Sequence, residues 1–451
     1  RSVAIGSNAL VAQEPASAVE MHNVAIGYNA GTAITSGTEN NIIGGLAGDS
    51  LTTGSNNVAL GHSALGQETT GSFNTAIGHK SLATLNVDGN GNNTAVGYRS
   101  GVAMTTAVKN TLIGGLAGDA ITTGGNNTVL GYDALGANTI GNSNVAIGQN
   151  AMLTNVAADK NVAVGLGTLQ AMTSATTLDT YNTAVGFNAG LAVTSAVANT
   201  LIGALSGDAI TEGGFNVAVG YDALSANTIG NSNIAIGSAA LAINVAGDRN
   251  VAIGTQALTA MTSATTLDTY NTAIGYNAGL TVTSGTFNTL LGGQAGDAIT
   301  SGSENVAIGY GSLSTEQTHG QNVAVGMQAL ATQNAGANAL NTAVGYKAGF
   351  AVTSGIQNTI IGGLAGDALT TGSNNVALGY NALSTEDAHG RNVAIGYAAL
   401  NTLNAGTDAY NVAIGFSAGT NVSTGVHNTL IGGEAGDALT IGVNNIAIGY
   451  L

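Results

Sequence analysis

No cysteine occurs in this sequence, so neither a disulfide framework nor a thiolate metal site can brace it, and the redox compartment is left open. Tryptophan is also absent, proline occurs once, at Pro15, and charged residues make up only 7% of 451 positions. A chain so poor in charge cannot cover itself with the usual Lys and Glu surface. Its polar exterior must be built from Asn, Thr and Ser. Lys and Arg together number 8 against 24 Asp and Glu, a net charge of −16, which argues against any grip on a nucleic-acid backbone or an anionic membrane. No apolar run approaches the roughly 20 residues that a membrane-spanning helix needs.

What the chain has in abundance is glycine, 69 residues, laid out on a fixed period. The stretch Asn-Val-Ala-Ile-Gly-Tyr, complete at 23–28, returns in close variants up to 445–450. Taking its glycine as a mark, the copies fall at Gly6, Gly27, Gly44, Gly61 and onward to Gly432 and Gly449, 26 marks spaced mostly by 17 residues and in places by 19 or 21. A short period held throughout is the signature of a solenoid. The expectation is one continuous all-β domain over 1–451, a parallel β-roll of about 25 coils that stack to roughly 120 Å at ordinary strand spacing. The chain begins and ends on a motif, and reads as a segment of something longer.

Residues before the mark alternate with the period of a strand: branched and apolar at one and three places before it, usually Ala at two. A second β-branched run such as Ala192-Val193-Thr194 suggests two short strands per coil. If the branched face fills the interior, the Ala face is left outward as an apolar stripe suited to packing against other copies, with Ala273, Ala307 and Ala324 in the contact. Four places before the mark stands Asn in every coil but the first, with Asn23, Asn57, Asn74, Asn110, Asn144, Asn216, Asn288, Asn305, Asn375 and Asn428 among its members. Stacked coils would set these amides in a ladder, each side-chain carbonyl accepting from the next coil. The marks Gly27, Gly44, Gly114, Gly203, Gly292, Gly362 and Gly432 are structural glycines of the same coils.

A second period overlies the first. Gly-Gly-Leu-Ala-Gly-Asp and its variants place aspartates at Asp49, Asp119, Asp208, Asp297, Asp367 and Asp437. These coils carry a large residue two before the mark and Gly or Ala just after it, where neighbouring coils carry a ring. This reads as bulk traded between layers to hold packing density. The aspartates themselves read as corner carboxylates bonded to backbone amides. Longer coils recur in phase, and their extra residues, including Asp88, Asn90, Thr176, Asp179, Thr265, Asp268, Asn338 and Asp408, are expected to bulge from one edge as contact loops.

The repeated Asn-Val-Ala-Ile-Gly core resembles the head repeat of trimeric autotransporter adhesins. The longer Asn-Thr-Ala-Val-Gly-Tyr-x-Ala-Gly form resembles repeats of phage and other viral tail-fibre proteins. The resemblance covers the whole chain, although the adhesin coil is shorter. It implies a left-handed β-roll with three copies side by side around one axis, extracellular, on a virion or a cell surface. The function implied is non-enzymatic: the shaft or head of a viral tail fibre that attaches to a host-surface glycan or protein, or alternatively a bacterial surface adhesin or extracellular filament subunit. No cofactor, metal, nucleic acid or membrane insertion is expected. The six histidines (His22, His62, His79, His319, His389, His427) read as scattered over different coil positions without a recurring carboxylate or serine, so no catalytic triad is expected. The Gly-Gly-x-x-Gly-Asp stretch departs from dinucleotide and calcium-repeat orders. A calcium- or ice-binding solenoid is the more distant alternative.

Overall fold

The computed structural model describes all residues except 15–19, 175–177 and 264–266. It forms two compact units, Arg1–Ile229 and Gly230–Leu451. Among the described residues there are 26 strands of three residues each and no helix. In the first unit the strands run from Val3–Ile5 to Val217–Val219, and in the second from Ile234–Ile236 to Ile446–Ile448. Within each unit the strands pair in parallel with the next along the chain, with identical coil positions opposite one another, as in Val306 with Val323, Ala307 with Ala324 and Ile308 with Val325. The architecture is therefore a parallel β-solenoid with coils of mostly 17 residues.

Each coil holds one strand, not two. The Ala192-Val193-Thr194 run is turn and bend. Val193 N–H donates back to Gly190 O at 3.1 Å within its own turn, and Thr194 N–H reaches the next coil at Thr211 O, 3.0 Å. The ladder between coils thus continues through the turns, but the chain curves too tightly there to extend. Backbone conformation explains the division by residue type. Many non-glycine residues adopt positive φ, at fixed coil places that include Asn29, Glu39, Leu65 and Phe73, and none of those described is Val, Ile or Thr. Branching at Cβ makes that backbone costly, so the branched residues collect in the strands and elsewhere.

The interior is the reverse of the sequence expectation. The middle residue of each strand points inward, and Ala25, Ala273, Ala307 and Ala324 are fully buried. Their branched neighbours face out and remain partly exposed, as the intermediate–buried–intermediate pattern of Val306–Ile308 shows. The small face therefore lines the coil in most layers, and the branched face is turned out. Leu10, Ile34, Leu51, Leu65 and Met104 add larger buried side chains from the turns.

Where the inward residue is large, glycine makes the room. Leu112, Leu201, Leu290, Ile360 and Leu430 are fully buried in the aspartate coils. A Cβ on Gly101 would lie 2.8 Å from Leu112 Cδ1, on Gly190 2.8 Å from Leu201 Cδ1, and on Gly279 2.7 Å from Leu290 Cδ1. The bulk is compensated inside the roll by the Ala-Gly coil one layer before, and not at the ring position, which lies outside. The mark glycines answer a different demand. Gly27, Gly44, Gly114, Gly203, Gly292, Gly362 and Gly432 have φ between +131° and +139°, and a Cβ on any of them would strike backbone of the next coil.

Because the Ala column is interior, Ala273→Glu, Ala307→Glu or Ala324→Glu is expected to bury an unpaired carboxylate and prevent cooperative folding of the second unit. Circular dichroism of each variant checks this: loss of the β signal is the expected result, and a folded monomer would contradict it.

Candidate functional site

The Asn column is a continuous hydrogen-bonded structure within each unit. Asn40 N–H donates to Asn23 Oδ1 at 2.9 Å, Asn40 Nδ2 donates to the same oxygen at 3.2 Å, and Asn40 Nδ2 also donates to Gly54 O of its own coil at 2.9 Å. One side chain thus ties its coil to the preceding one and closes its own turn. The backbone rung recurs at 2.8–3.0 Å for Asn57, Asn74, Asn110, Asn144, Asn216, Asn288, Asn305, Asn375 and Asn428. All of these residues are buried. Only Asn and its isosteres offer an acceptor and a two-hydrogen donor on so short a stem. In the first coil, where Asn is missing, Ser2 Oγ accepts from Asn23 N–H at 3.4 Å.

Longer coils strain or supplement the ladder. At coils of 19 residues the rung lengthens, to 3.2 Å at Asn93 and Asn411 and 3.3 Å at Asn341. At two coils of 21 residues a buried hydroxyl joins it: Thr180 Oγ1 donates to Asn161 Oδ1 and Thr269 Oγ1 to Asn250 Oδ1, both at 2.8 Å.

The insertions share one phase, since Asn90, Asp179, Asp268, Asn338 and Asp408 all stand seven residues before a mark. They do not hang free. Asn90 forms a parallel bridge with Ser72, Thr70 Oγ1 donates to Asp88 Oδ1 at 3.2 Å, and Asn338 Oδ1 accepts from Gly320 N–H at 3.1 Å. Asp179 accepts from Lys160 Nζ at 2.7 Å and from Tyr181 Oη at 2.8 Å. The same cation–Asp–Tyr triad recurs as Arg249–Asp268–Tyr270 and Arg391–Asp408–Tyr410, in each case with the cation over the ring at 5.3–5.6 Å. Sequence reading missed this triad, although its signal was present: a basic residue five before a mark and Asp-x-Tyr in the next coil. Thr176 and Thr265, also expected in these loops, lie outside the described residues.

The histidines are less scattered than the sequence reading held. His319 and His389 occupy one coil position, each three residues after a buried glutamate, in the repeated Glu-x-x-His-Gly of 316–320 and 386–390. The glutamate stands where other coils place Leu or Ile, and it braces the turn. Glu386 Oε1 accepts from His389 N–H at 3.1 Å and Oε2 from Ala405 N–H at 3.4 Å. Glu68 does the same without a histidine, accepting from Gly71 at 2.7 Å and Val87 at 3.2 Å. Glu386, Asp387 and His389 are the one grouping among the described residues whose ligand atoms lie close enough to hold a metal, within 4.8 Å. With both Glu386 oxygens engaged by backbone, it reads as a braced turn.

Burial pushes the carboxyls of Glu68, Glu316 and Glu386 up from 4.5, against the pull of their backbone bonds. Burial likewise raises Asp49, Asp119, Asp208, Asp297 and Asp367 above 3.8, with Asp133 adding to the rise at Asp119 and Arg99 opposing it. No protein-family model matches the chain, and a search of the curated proteins finds no match.

Two outcomes follow from this geometry. Replacing Asn288 and Asn305 by Ala leaves buried backbone donors without acceptors, at a cost of about 1–3 kcal/mol each and less than additive because the two are in contact. Thermal melting of the single and double variants measures it. The raised carboxyls bind their protons more tightly in the folded state, so the stability they contribute is present below pH 3.8–4.5 and is lost as pH rises through their folded values. The melting temperature is therefore expected to fall as pH rises above the ordinary carboxylate range, and Glu386→Gln to flatten the slope.

Proposed function

We propose that this chain is the shaft or head of a non-enzymatic attachment fibre, first of a viral tail fibre, in which three parallel copies pack side by side and present a repeating surface to a host glycan or protein. A bacterial trimeric adhesin uses the same assembly and is the alternative setting. Either places the protein outside the cell.

The observation that carries this reading is the outer sheet face. In both units the branched columns point outward and stay partly open, with Leu60 43%, Leu130 45% and Leu291 44% exposed. Monomers rarely leave so long a succession of apolar side chains to water. A flat face repeated coil after coil is self-complementary to the same face on another copy, which is what closed symmetry requires. Self-association thus rests on the outward branched columns, because the Ala columns are enclosed. The ladder and the braced turns supply coils that keep their register, and the pinned insertions hold exposed side chains at fixed places.

Sedimentation equilibrium tests the assembly. The parent is expected to be a trimer, and Leu291→Lys with Ile308→Lys, both on the outward face, to give a folded monomer. A folded monomeric parent would overturn the reading.

A further inference from the structure

Three coils place a buried glutamate ten residues before the mark: Glu68, Glu316 and Glu386. Each accepts from the backbone N–H three residues on, of Gly71 at 2.7 Å, His319 at 3.1 Å and His389 at 3.1 Å. Glu68 closes its turn over a glycine, so the brace needs only that N–H. It accounts for the glutamates and leaves the side chains of His319 and His389 without a reason.

The two histidine turns differ in the residues between. The first reads Glu316-Gln317-Thr318-His319-Gly320 and the second Glu386-Asp387-Ala388-His389-Gly390. Thr318 Oγ1 and His319 Nδ1 share a hydrogen bond of 2.9 Å, which satisfies the ring nitrogen in the first turn. In the second, Ala388 stands where that hydroxyl was, and His389 Nδ1 is a buried nitrogen with no hydrogen-bond partner. The carboxylate of Asp387 stands where the first turn has Gln317. One turn has thus lost the partner of its ring and gained an anionic donor beside it.

His389 Nδ1 lies 3.5 Å from Glu386 Oε1. That is longer than the roughly 2.7–3.2 Å of a good hydrogen bond from nitrogen. It matches the roughly 3.4 Å that separates two ligand atoms each about 2.1 Å from a tetrahedral ion. One ligand atom from each of Glu386, Asp387 and His389 lies within 4.8 Å of the other two. Glu386 is fully enclosed while Asp387 and His389 are half-buried, so the group is open to solvent on one side. The backbone bonds to Glu386 hold it for such a role, because each oxygen keeps a second lone pair and ligating carboxylates are ordinarily hydrogen-bonded by their surroundings. Arg391, two residues on, is engaged by Asp408 and Tyr410.

We propose that Glu386, Asp387 and His389 form a site for a divalent transition-metal ion such as zinc, held by the imidazole Nδ1 and one oxygen of each carboxylate, with a fourth position left to water. An imidazole beside two carboxylates selects such an ion over calcium and magnesium, which take oxygen ligands. The ion ties residue 389 to the glutamate whose other oxygen accepts from Ala405 N–H, in the insertion that carries Asp408 and Tyr410. It fastens that corner to the following coil. The site goes beyond the attachment reading and does not depend on it.

The test is calorimetric titration of the chelator-treated parent with zinc chloride. One zinc per chain is expected to bind, and saturation to raise the melting temperature. His389→Gly leaves the turn as Glu68 already closes it, and is expected to weaken binding by at least the roughly 10–100-fold that loss of even an outer partner costs. Should that variant not fold, Asp387→Gln with Ala388→Thr writes in the turn that the chain already forms at 316–320, and is expected to weaken binding to the same degree. Excess calcium is expected to leave the zinc in place. The proposal is overturned if the parent takes up no zinc, if calcium displaces it, or if the variants bind as tightly as the parent, which is the result of an adventitious ion only. Each of these failures leaves the assembly reading standing.

Discussion

The bond from each Asn side chain to the backbone of the following coil is the constraint on which the rest of this structure depends. A three-residue strand makes few ladder bonds, and a coil with one such strand has little to fix its register against its neighbours. The Asn oxygen fixes it at one buried point per coil, and its Nδ2 group fixes the far turn of the same coil through the carbonyl ten places after the mark, as at Gly54. Once the register is set, every coil position becomes a column. The interior Ala column, the outward branched columns and the ring column are all consequences of that alignment.

Columns give this protein a way to distribute risk. Interior polar groups are costly unless paired. Most lie in the ladder, where pairing is guaranteed by the coil above or below. The buried glutamates at 68, 316 and 386 lie outside the ladder and follow the same logic, because each carboxylate accepts from turn N–H groups. The strain this tolerates is visible at the rungs of the 19-residue coils, and the Thr180 and Thr269 hydroxyls show how two of the longest coils relieve it. Extra residues are thus accommodated at the corner without breaking the columns on either side.

Surface and interior make separate use of glycine. Mark glycines such as Gly27 allow a backbone that side chains rarely adopt, and Gly101 and Gly190 yield volume to a large inward neighbour. Gly115, Gly293 and Gly363 do neither, and their position between exposed rings is what directs attention to the outer surface of the aspartate coils. The attachment reading draws on the branched columns of that outer surface.

The sequence by itself determined the repeat, its period, the parallel stacking and the places of Asn and Gly, because each is a local demand written into every coil. It also marked the phase of the insertions, and the Glu-x-x-His-Gly pair was there to be found in register. Which strand face is inside was not legible. Alternation separates Ala from Val and Ile without saying which set the turns enclose, and hydrophobicity alone favours the wrong one. Only the closed coil decides, since it encloses the middle residue of each strand, a methyl group in most layers and a larger side chain where a glycine of the coil before yields the volume. The same holds for the small residues beside the rings: in sequence they look like relief from crowding, and only the outward direction of that column, with rings stacked unhindered elsewhere along it, shows that there was no crowding to relieve.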